Sequence, residues 1–411
     1  MNHGIIGKRK ELYLVSKVLV ISLDAVSDET FDILKEYRHF KTLYRESTLV
    51  REVDSLFLSN TYPIHTSVAT GTYPYEHGVF SNTKVQPGNN HPDWLCFSQF
   101  IKAKTLWQAA NEKQLKTAAV MWPVTGGAKE IAYNVPEIMA KPRESQMIVS
   151  LRAGSKFLQL KEFLRHKKVL KGIQQPQLDQ FSTLVMCDII KEKQPDLMLL
   201  HLTAYDSLCH QYGKDSKKLK EAYEALDANL GKLLAVIDEE TTVIFFSDHG
   251  QLNVHQCIQP NIYLRERGIS EEEAYIECCG GSAFFHAYNC SEATVVQMKE
   301  HLRGTQGFNR FLTTEEMQLC GRGDLPFGFC AKVGYFYERR EIQEKGNHGY
   351  PLDYPHYKVF YGVRGKRFEQ GKVLKGGSLL DLTALIAKEC ELDMPDIKGK
   401  IKENIYKERV L

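Results

Sequence analysis

D-L-M-L-L-H-L-T-A-Y-D, residues 196–206, and T-T-V-I-F-F-S-D-H-G, residues 241–250, are two apolar runs that each end in acidic residues. Between them, residues 216–238 carry apolar side chains at helical spacing, so the whole reads as strand, helix, strand. Such a unit joins two parallel strands by a right-handed crossover, which brings both strand ends to one edge of a sheet. Asp206 is expected at one strand end, with His210 four residues on, and Asp248 with His249 at the other.

Upstream, K-V-L-V-I-S-L-D-A (17–25) sets another continuous apolar strand directly before Asp24. A strand with no polar face suits a parallel sheet covered by helices on both sides. Polar residues at its C-terminal end then lie where open α/β sheets bind ligands. The same reading predicts a helix over 28–37, a strand within 47–57, a helix over 105–113 and a buried strand ending at Trp122-Pro123. Residues 140–195 read as mainly helical, with Pro176 at a helix start, where its missing N–H costs least. Within them, S-K-F-L-Q-L-K-E-F-L-R-H-K-K-V-L (155–170) is amphipathic and basic and reads as a solvated helix face. From 262 to 338 short strands flank one helix, which predicts a small α+β insertion. The expected organisation is an α/β core over 17–261, the insertion over 262–338 and the rest of the core over 339–411.

Composition bounds the function. At 411 residues, 43% hydrophobic and 25% charged, the chain is that of an ordinary globular protein. A net charge of +2 does not suggest a nucleic-acid binder or a membrane-surface protein, and the run 18–23 is too short to cross a bilayer. Ten cysteines without a C-x-x-C pair read as reduced thiols. Charges in residues 8–11 stand where a secretory leader would be apolar, so a cytoplasmic location is expected.

The segment S-N-T-Y-P-I-H-T-S-V-A-T-G-T-Y-P-Y-E-H-G-V-F-S-N (59–82) carries the chemistry. A hydroxyl at Thr61 just ahead of Pro63 opens a short helix that Gly71 stops. Thr61 is either a plain helix cap or a hydroxyl beside free N–H groups that can hold a phosphate. The Pro- and Gly-rich loop 73–82 is placed to fold back over the helix start.

Asp24, Asp206, His210, Asp248, His249 and the distant His348 (in G-N-H-G-Y, 346–350) form a set of strand-end acids and imidazoles. Singly, each reads as a hydrogen-bonded loop residue. Together, mixed carboxylate and imidazole donors suit zinc, whereas magnesium or calcium would draw mainly oxygen ligands. Two groups of three, each one ligand short, suit a pair of metals about 3.5–4 Å apart, the clamp used for in-line displacement at phosphorus. Thr61 would be the nucleophile.

These motifs, with N-T-Y-P (60–63), Y-P-Y-E-H-G-V-F-S-N (73–82), D-S-L-C-H-Q-Y-G (206–213) and S-D-H-G (247–250), resemble in order the type I phosphodiesterases/nucleotide pyrophosphatases of the alkaline phosphatase superfamily. The resemblance implies an alkaline-phosphatase-like core. It implies one zinc on Asp206, His210 and His348 and a second on Asp24, Asp248, His249 and the Thr61 oxygen, with manganese or iron as alternatives. It implies that Asn82 donates a hydrogen bond to a phosphoryl oxygen, and that Tyr62 and Trp122 lie against the substrate's base or leaving group. Ile64-His65 departs from the asparagine-histidine found in many relatives.

The expected activity is hydrolysis of a small phosphodiester or phosphoanhydride, nucleotides included, through a phosphothreonine. A monoesterase or phosphonate hydrolase on the same scaffold is the alternative, and a non-catalytic metal-bound scaffold the alternative of another class. No C/S-x-P-x-R stands where a sulfatase would need it.

Overall fold

Strand β1 (Val18–Leu23) is apolar at five of six positions and buried at all six. It lies between β5 (Leu197–Leu202) and β6 (Thr242–Phe246) and parallel to both. The computed structural model that shows this describes residues 16–355 and 357–408. Residues 1–15, which hold the charges that argue against a secretory leader, lie outside them. With β2 (Thr48–Val53), β3 (Thr117–Val120), β4 (Tyr133–Val135), β14 (Val359–Arg364) and β15 (Lys372–Lys375), these strands form one sheet in the order β15-β2-β14-β6-β1-β5-β3-β4. β14 runs antiparallel to both its neighbours and the other pairings are parallel.

Alternate residues of β1 point to opposite faces, and both faces are apolar cores. Val18 and Val20 pack with the helices Thr61–Thr70, Leu106–Glu112 and Asp381–Glu389. Leu19, Ile21 and Leu23 pack with Asp28–Leu34, Arg38–Arg45, Gln177–Lys193 and Lys220–Leu234. The expected α/β architecture, a largely parallel sheet with helices on both sides, is therefore present.

Register then aligns the ends. Ser22 pairs with His201 on one side and Phe246 on the other, so Asp24, Thr203 and Ser247 leave the sheet along one edge. The third chain segment reaches that edge through a smaller sheet. In it β7 (Leu252–Ile258) pairs with β12 (Gly334–Tyr337) and with β13 (Gly346–Asn347), which is followed directly by His348. Between β7 and β12, β8 (Ala274–Cys279), β9 (Ser282–Ala287), β10 (Phe308–Phe311) and β11 (Phe327–Ala331) form an antiparallel sheet ordered β10-β11-β9-β8. Its own apolar core includes Phe284, Met298 and Phe329.

Two local expectations are corrected. The helix expected over 28–37 is two helices, Asp28–Leu34 and Arg38–Arg45. The break is made from a distance: Asp227 Oδ1 accepts the N–H groups of His39 (2.7 Å) and Phe40 (3.0 Å) and so caps the second helix. Asp206 is not a strand end, because β5 stops at Leu202 and Asp206 lies in the first turn of helix Ala204–Tyr212. There Asp206 and His210 share one helix face.

Candidate metal centre and nucleophile

Helix Thr61–Thr70 is buried at all ten positions, an unusual environment for so polar a sequence. Its side chains satisfy themselves within the fold: Thr66 and Thr70 hydroxyls bond the carbonyls of Tyr62 and Thr66, and His65 bridges Thr61 O (2.8 Å) and Ser22 Oγ (2.9 Å). Gly71 ends it at φ 74°, where a side chain would also press on Ile397. The N-cap is Asn60 rather than Thr61, which is the first helical residue. The Thr61 hydroxyl lies 3.3 Å from His249 Nε2. Loop 73–82 returns to this point, and Asn82 Oδ1 accepts the Tyr62 N–H at 2.9 Å. With its oxygen so engaged, Asn82 has its amide NH2 left to donate into the cavities it lines.

Around Thr61 the fold brings together the six distant acids and imidazoles. His249 Nε2 stands 3.4 Å from Asp24 Oδ1 and 3.4 Å from Asp248 Oδ2. Asp206, His249 and His348 offer ligand atoms all within 4.8 Å of one another, as do Asp24, Asp248 and His249. His210 Nε2 is 3.5 Å from Asp206 Oδ1, and the His348 ring stacks on His249 with centroids 4.1 Å apart. His348 Nδ1 is held by Ser59 O (3.1 Å) and Asn60 Oδ1 (3.0 Å), so its other nitrogen is the one free to ligate.

Asp24 Oδ1 and Asp248 Oδ2 are buried and have no hydrogen-bond partner among the described residues. Leaving buried carboxylate oxygens unpaired is costly unless a cation neutralises them. The titration behaviour agrees. Burial, with the charges of Asp248 and Asp206 added, pushes the Asp24 carboxyl well above its ordinary range. Burial likewise raises Asp248 to about 6 and lowers His249 to about 4 and His348 to about 3. Burial would also raise Asp206, but His210, His348 and His249 together hold that carboxyl below the usual range. Neutral His249 and His348 are in the form that binds a metal, whereas His210, raised by Asp206 and Glu344 against its burial, would bind one only by giving up its proton. The donor set fits two borderline cations such as zinc.

Two further histidines back this set. His201, the one polar residue of β5, places Nε2 3.1 Å from Asp24 Oδ2 and Nδ1 3.8 Å from Glu137. His65 Nδ1 is 3.6 Å from Asp248 Oδ2. Gln251 donates to Asp206, and Glu344 Oε2 lies 3.1 Å from His210 Nδ1. A lone histidine in a wholly buried apolar strand was the sequence signal for His201; the other contacts have none.

Two cavities meet at the centre. One, of about 930 Å³, is lined by Asn60, Asn82, His210 and His348 and by the polar side chains of Lys84 and Arg340. The other, of about 780 Å³, is lined by Asp24, Thr61, Asn82, Asp206 and His348 and runs away along an apolar wall. Tyr62 borders the second, though it too is wholly buried, and meets the Trp94 ring edge-on at 5.3 Å. Trp122 is corrected: it is wholly buried, edge-on to His65 at 5.0 Å, and presents no face to a substrate. Trp94, which borders both cavities, is an aromatic that sequence reasoning missed. Among the described residues no helix is long and apolar enough to cross a membrane.

Comparison with known proteins follows the same lines. The human bis(5'-adenosyl)-triphosphatase ENPP4 (Homo sapiens) is 23% identical over 384 residues, 87% of this chain and 74% of that protein. Human ectonucleotide pyrophosphatase/phosphodiesterase family member 1 is 25% identical over 240 residues, 53% of this chain and 22% of that protein. Among solved structures, an inactive variant of murine ectonucleotide pyrophosphatase/phosphodiesterase 5 in complex with AMP superposes with a TM-score of 0.71 at 18% identity, over 95% of this chain and 100% of that one. That likeness is one of fold, the alkaline-phosphatase-like α/β core. The family model described as type I phosphodiesterase / nucleotide pyrophosphatase matches residues 18–326, and the chain belongs to this family of phosphodiester-bond hydrolases.

Proposed function

We propose that the protein hydrolyses a small phosphodiester or phosphoanhydride through a covalent phosphothreonine at Thr61. The observation that carries this is the Thr61 hydroxyl, 3.3 Å from His249 Nε2, at a helix start beside two unpaired carboxylate oxygens. Thr61 Oγ attacks phosphorus and expels one ester oxygen in line; water then attacks the phosphothreonine and returns the hydroxyl. Asn82, fixed through its Oδ1, donates from Nδ2 to a non-bridging oxygen. Zinc held by Asp206, His210 and His348, and by Asp24, Asp248, His249 and Thr61, would supply the positive charge that favours an ionised threonine oxygen and a departing alkoxide. The AMP complex of the murine neighbour supports a nucleotide as one substituent at phosphorus.

Thr61→Ala protein with its metal content measured tests the reading. Hydrolysis of bis(p-nitrophenyl) phosphate should fall by at least about 10³-fold with metal retained. Acid-quenched wild-type enzyme should carry phosphate on Thr61. Full metal in a wild-type protein that turns over neither this diester nor p-nitrophenyl phosphate would favour a scaffold instead. A preference for p-nitrophenyl phosphate over the diester would favour a monoesterase.

A cytoplasmic location belongs to the same proposal. It is supported by ten cysteines that are all free thiols, eight of them buried. Disulfides found in the protein isolated from its host would refute it.

A further inference from the structure

Within the insertion, the chain leaves helix Thr314–Leu319 by turning on Gly321, whose φ is 74°. The Gly321 N–H bonds Gln318 O at 3.0 Å and the Arg322 N–H bonds Met317 O at 2.8 Å. This is the Schellman close of a helix, and glycine enters its left-handed position without strain. Gly321 meets a second demand as well, because a Cβ there would run into the ring of Phe80. Phe80 belongs to loop 73–82, so the turn leaves room for a side chain more than two hundred positions away.

Arg322 closes over the same ring. Its guanidinium carbon lies 4.8 Å from the Phe80 centroid, a cation–π distance. The arginine is buried and its place is fixed: Nη2 donates to Glu277 Oε1 at 2.6 Å, and His286 Nε2 stands 3.0 Å from the other Glu277 oxygen. A planar guanidinium held by a charge-assisted bond is a rigid plate. None of Phe80, Glu277 and Arg322 lines either cavity at the centre, so the plate does not touch a substrate bound there.

Two residues beyond Phe80 stands Asn82. Its Oδ1 accepts the Tyr62 N–H and its carbonyl accepts the Leu95 N–H, both at 2.9 Å. Earlier in the loop, buried His77 anchors the chain through Nε2, 2.9 Å from Ser67 Oγ. Between these anchors Phe80 ties the loop to the insertion. Strand β8, which carries Glu277, ends in a turn whose Gly281 N–H bonds His348 O at 2.7 Å. One hairpin of the insertion therefore backs the candidate ligand His348 and, through Arg322 and Phe80, the amide of Asn82.

We infer that Arg322 and Phe80 are positioning residues for the reaction: the guanidinium, locked by Glu277, holds the Phe80 ring and with it the backbone that presents the Asn82 amide to the phosphoryl group. The inference rests on the hydrolase reading above, in which Asn82 donates to a phosphoryl oxygen.

Phe80 is half-buried and uncharged, so it is the side chain to change first. In the full metal-loaded chain, Phe80→Ala should lower kcat for bis(p-nitrophenyl) phosphate about tenfold, part of the order of 10² expected from losing the Asn82 donor itself. KM should stay within about twofold and the zinc content should not change. Phe80→Tyr, which keeps the ring under Arg322, should bring kcat back to within about twofold of wild type. Arg322→Met/Glu277→Gln removes the guanidinium without leaving a buried charge unpaired, and it should reproduce the loss. The deciding comparison is a double-mutant cycle. Added to Asn82→Ala, Phe80→Ala should cost less than about a further twofold, because the group it positions is gone. No loss in Phe80→Ala alone, or the full loss kept in the Asn82→Ala background, overturns the inference and leaves the hydrolase reading intact. The side-chain amide of Asn82 gives a readout that needs no turnover. Its ¹H–¹⁵N signals, assigned by their disappearance in Asn82→Asp, should split or broaden in Phe80→Ala as the amide samples several orientations, and stay single and sharp in Phe80→Tyr. Split signals in a protein that hydrolyses no ester keep the positioning role and sink the hydrolase reading. A single sharp pair in Phe80→Ala overturns the positioning role whatever the kinetics.

Discussion

His201 Nε2 stands 3.1 Å from Asp24 Oδ2, behind the carboxylate whose Oδ1 faces His249 Nε2 at 3.4 Å. One carboxylate is thus gripped from the core side and offered to the centre on the other. Groups that orient a ligand in this way commonly contribute 10- to 100-fold to metal affinity. His201→Asn should therefore weaken zinc by about that factor in a chelator-competition titration. Activity should return at high zinc. Unchanged zinc affinity would make His201 a packing residue only.

Asn82 joins Tyr62 N–H to the cavity through one amide. Asn82→Asp keeps an acceptor for that N–H but replaces the free donor with a charge that repels phosphoryl oxygens. Asn82→Ala loses both. Each should lower kcat on the order of 10²-fold, as the loss of a single oxyanion donor does. The melting temperature of Asn82→Asp should stay closer to wild type than that of Asn82→Ala.

Removal of metal should destabilise the protein as well as silence it. Asp24 Oδ1 and Asp248 Oδ2 are buried without a hydrogen-bond partner among the described residues, so whatever cation neutralises them binds the native state and not the unfolded one. Treatment with a chelator should abolish hydrolysis and lower the melting temperature, and added zinc should restore both. A melting temperature indifferent to the chelator would mean that the centre is not where the cation sits.

Far from the centre, Glu277 is buried between Arg322 at 2.6 Å and His286 at 3.0 Å. Burial alone would raise its carboxyl, but Arg322 and then His286 hold it down at about 2 against an ordinary 4.5. A carboxyl depressed in the folded state stabilises above its unfolded value and ceases to do so as pH falls through its folded value. The contribution, about 3 kcal/mol, should be present above pH 4.5 and drain away toward pH 2. Melting curves of wild type and Glu277→Gln should be well separated at pH 6 and converge only near pH 2. Parallel curves across that range would refute the pairing.

Much of this molecule is legible in one dimension. Val18 to Leu23, Leu197 to Leu202 and Thr242 to Phe246 are apolar without alternation, and only a sheet covered on both faces buries such runs. Parallel register then makes the residues just past them neighbours, which is why Asp24 and Asp248 could be matched across more than two hundred positions. Thr61 was legible for a local reason, a hydroxyl at a helix start. Contacts that cross between layers were not. His65 reaches Asp248 only because helix Thr61–Thr70 is sunk whole into the core, and Trp122 is spent on packing against His65 rather than on a ligand. That Phe157, Leu160 and Leu164 of helix Lys156–His166 stand exposed is hidden from sequence for the same reason. Periodicity fixes which side chains share a helix face, but the neighbouring layers decide whether that face is buried or bare.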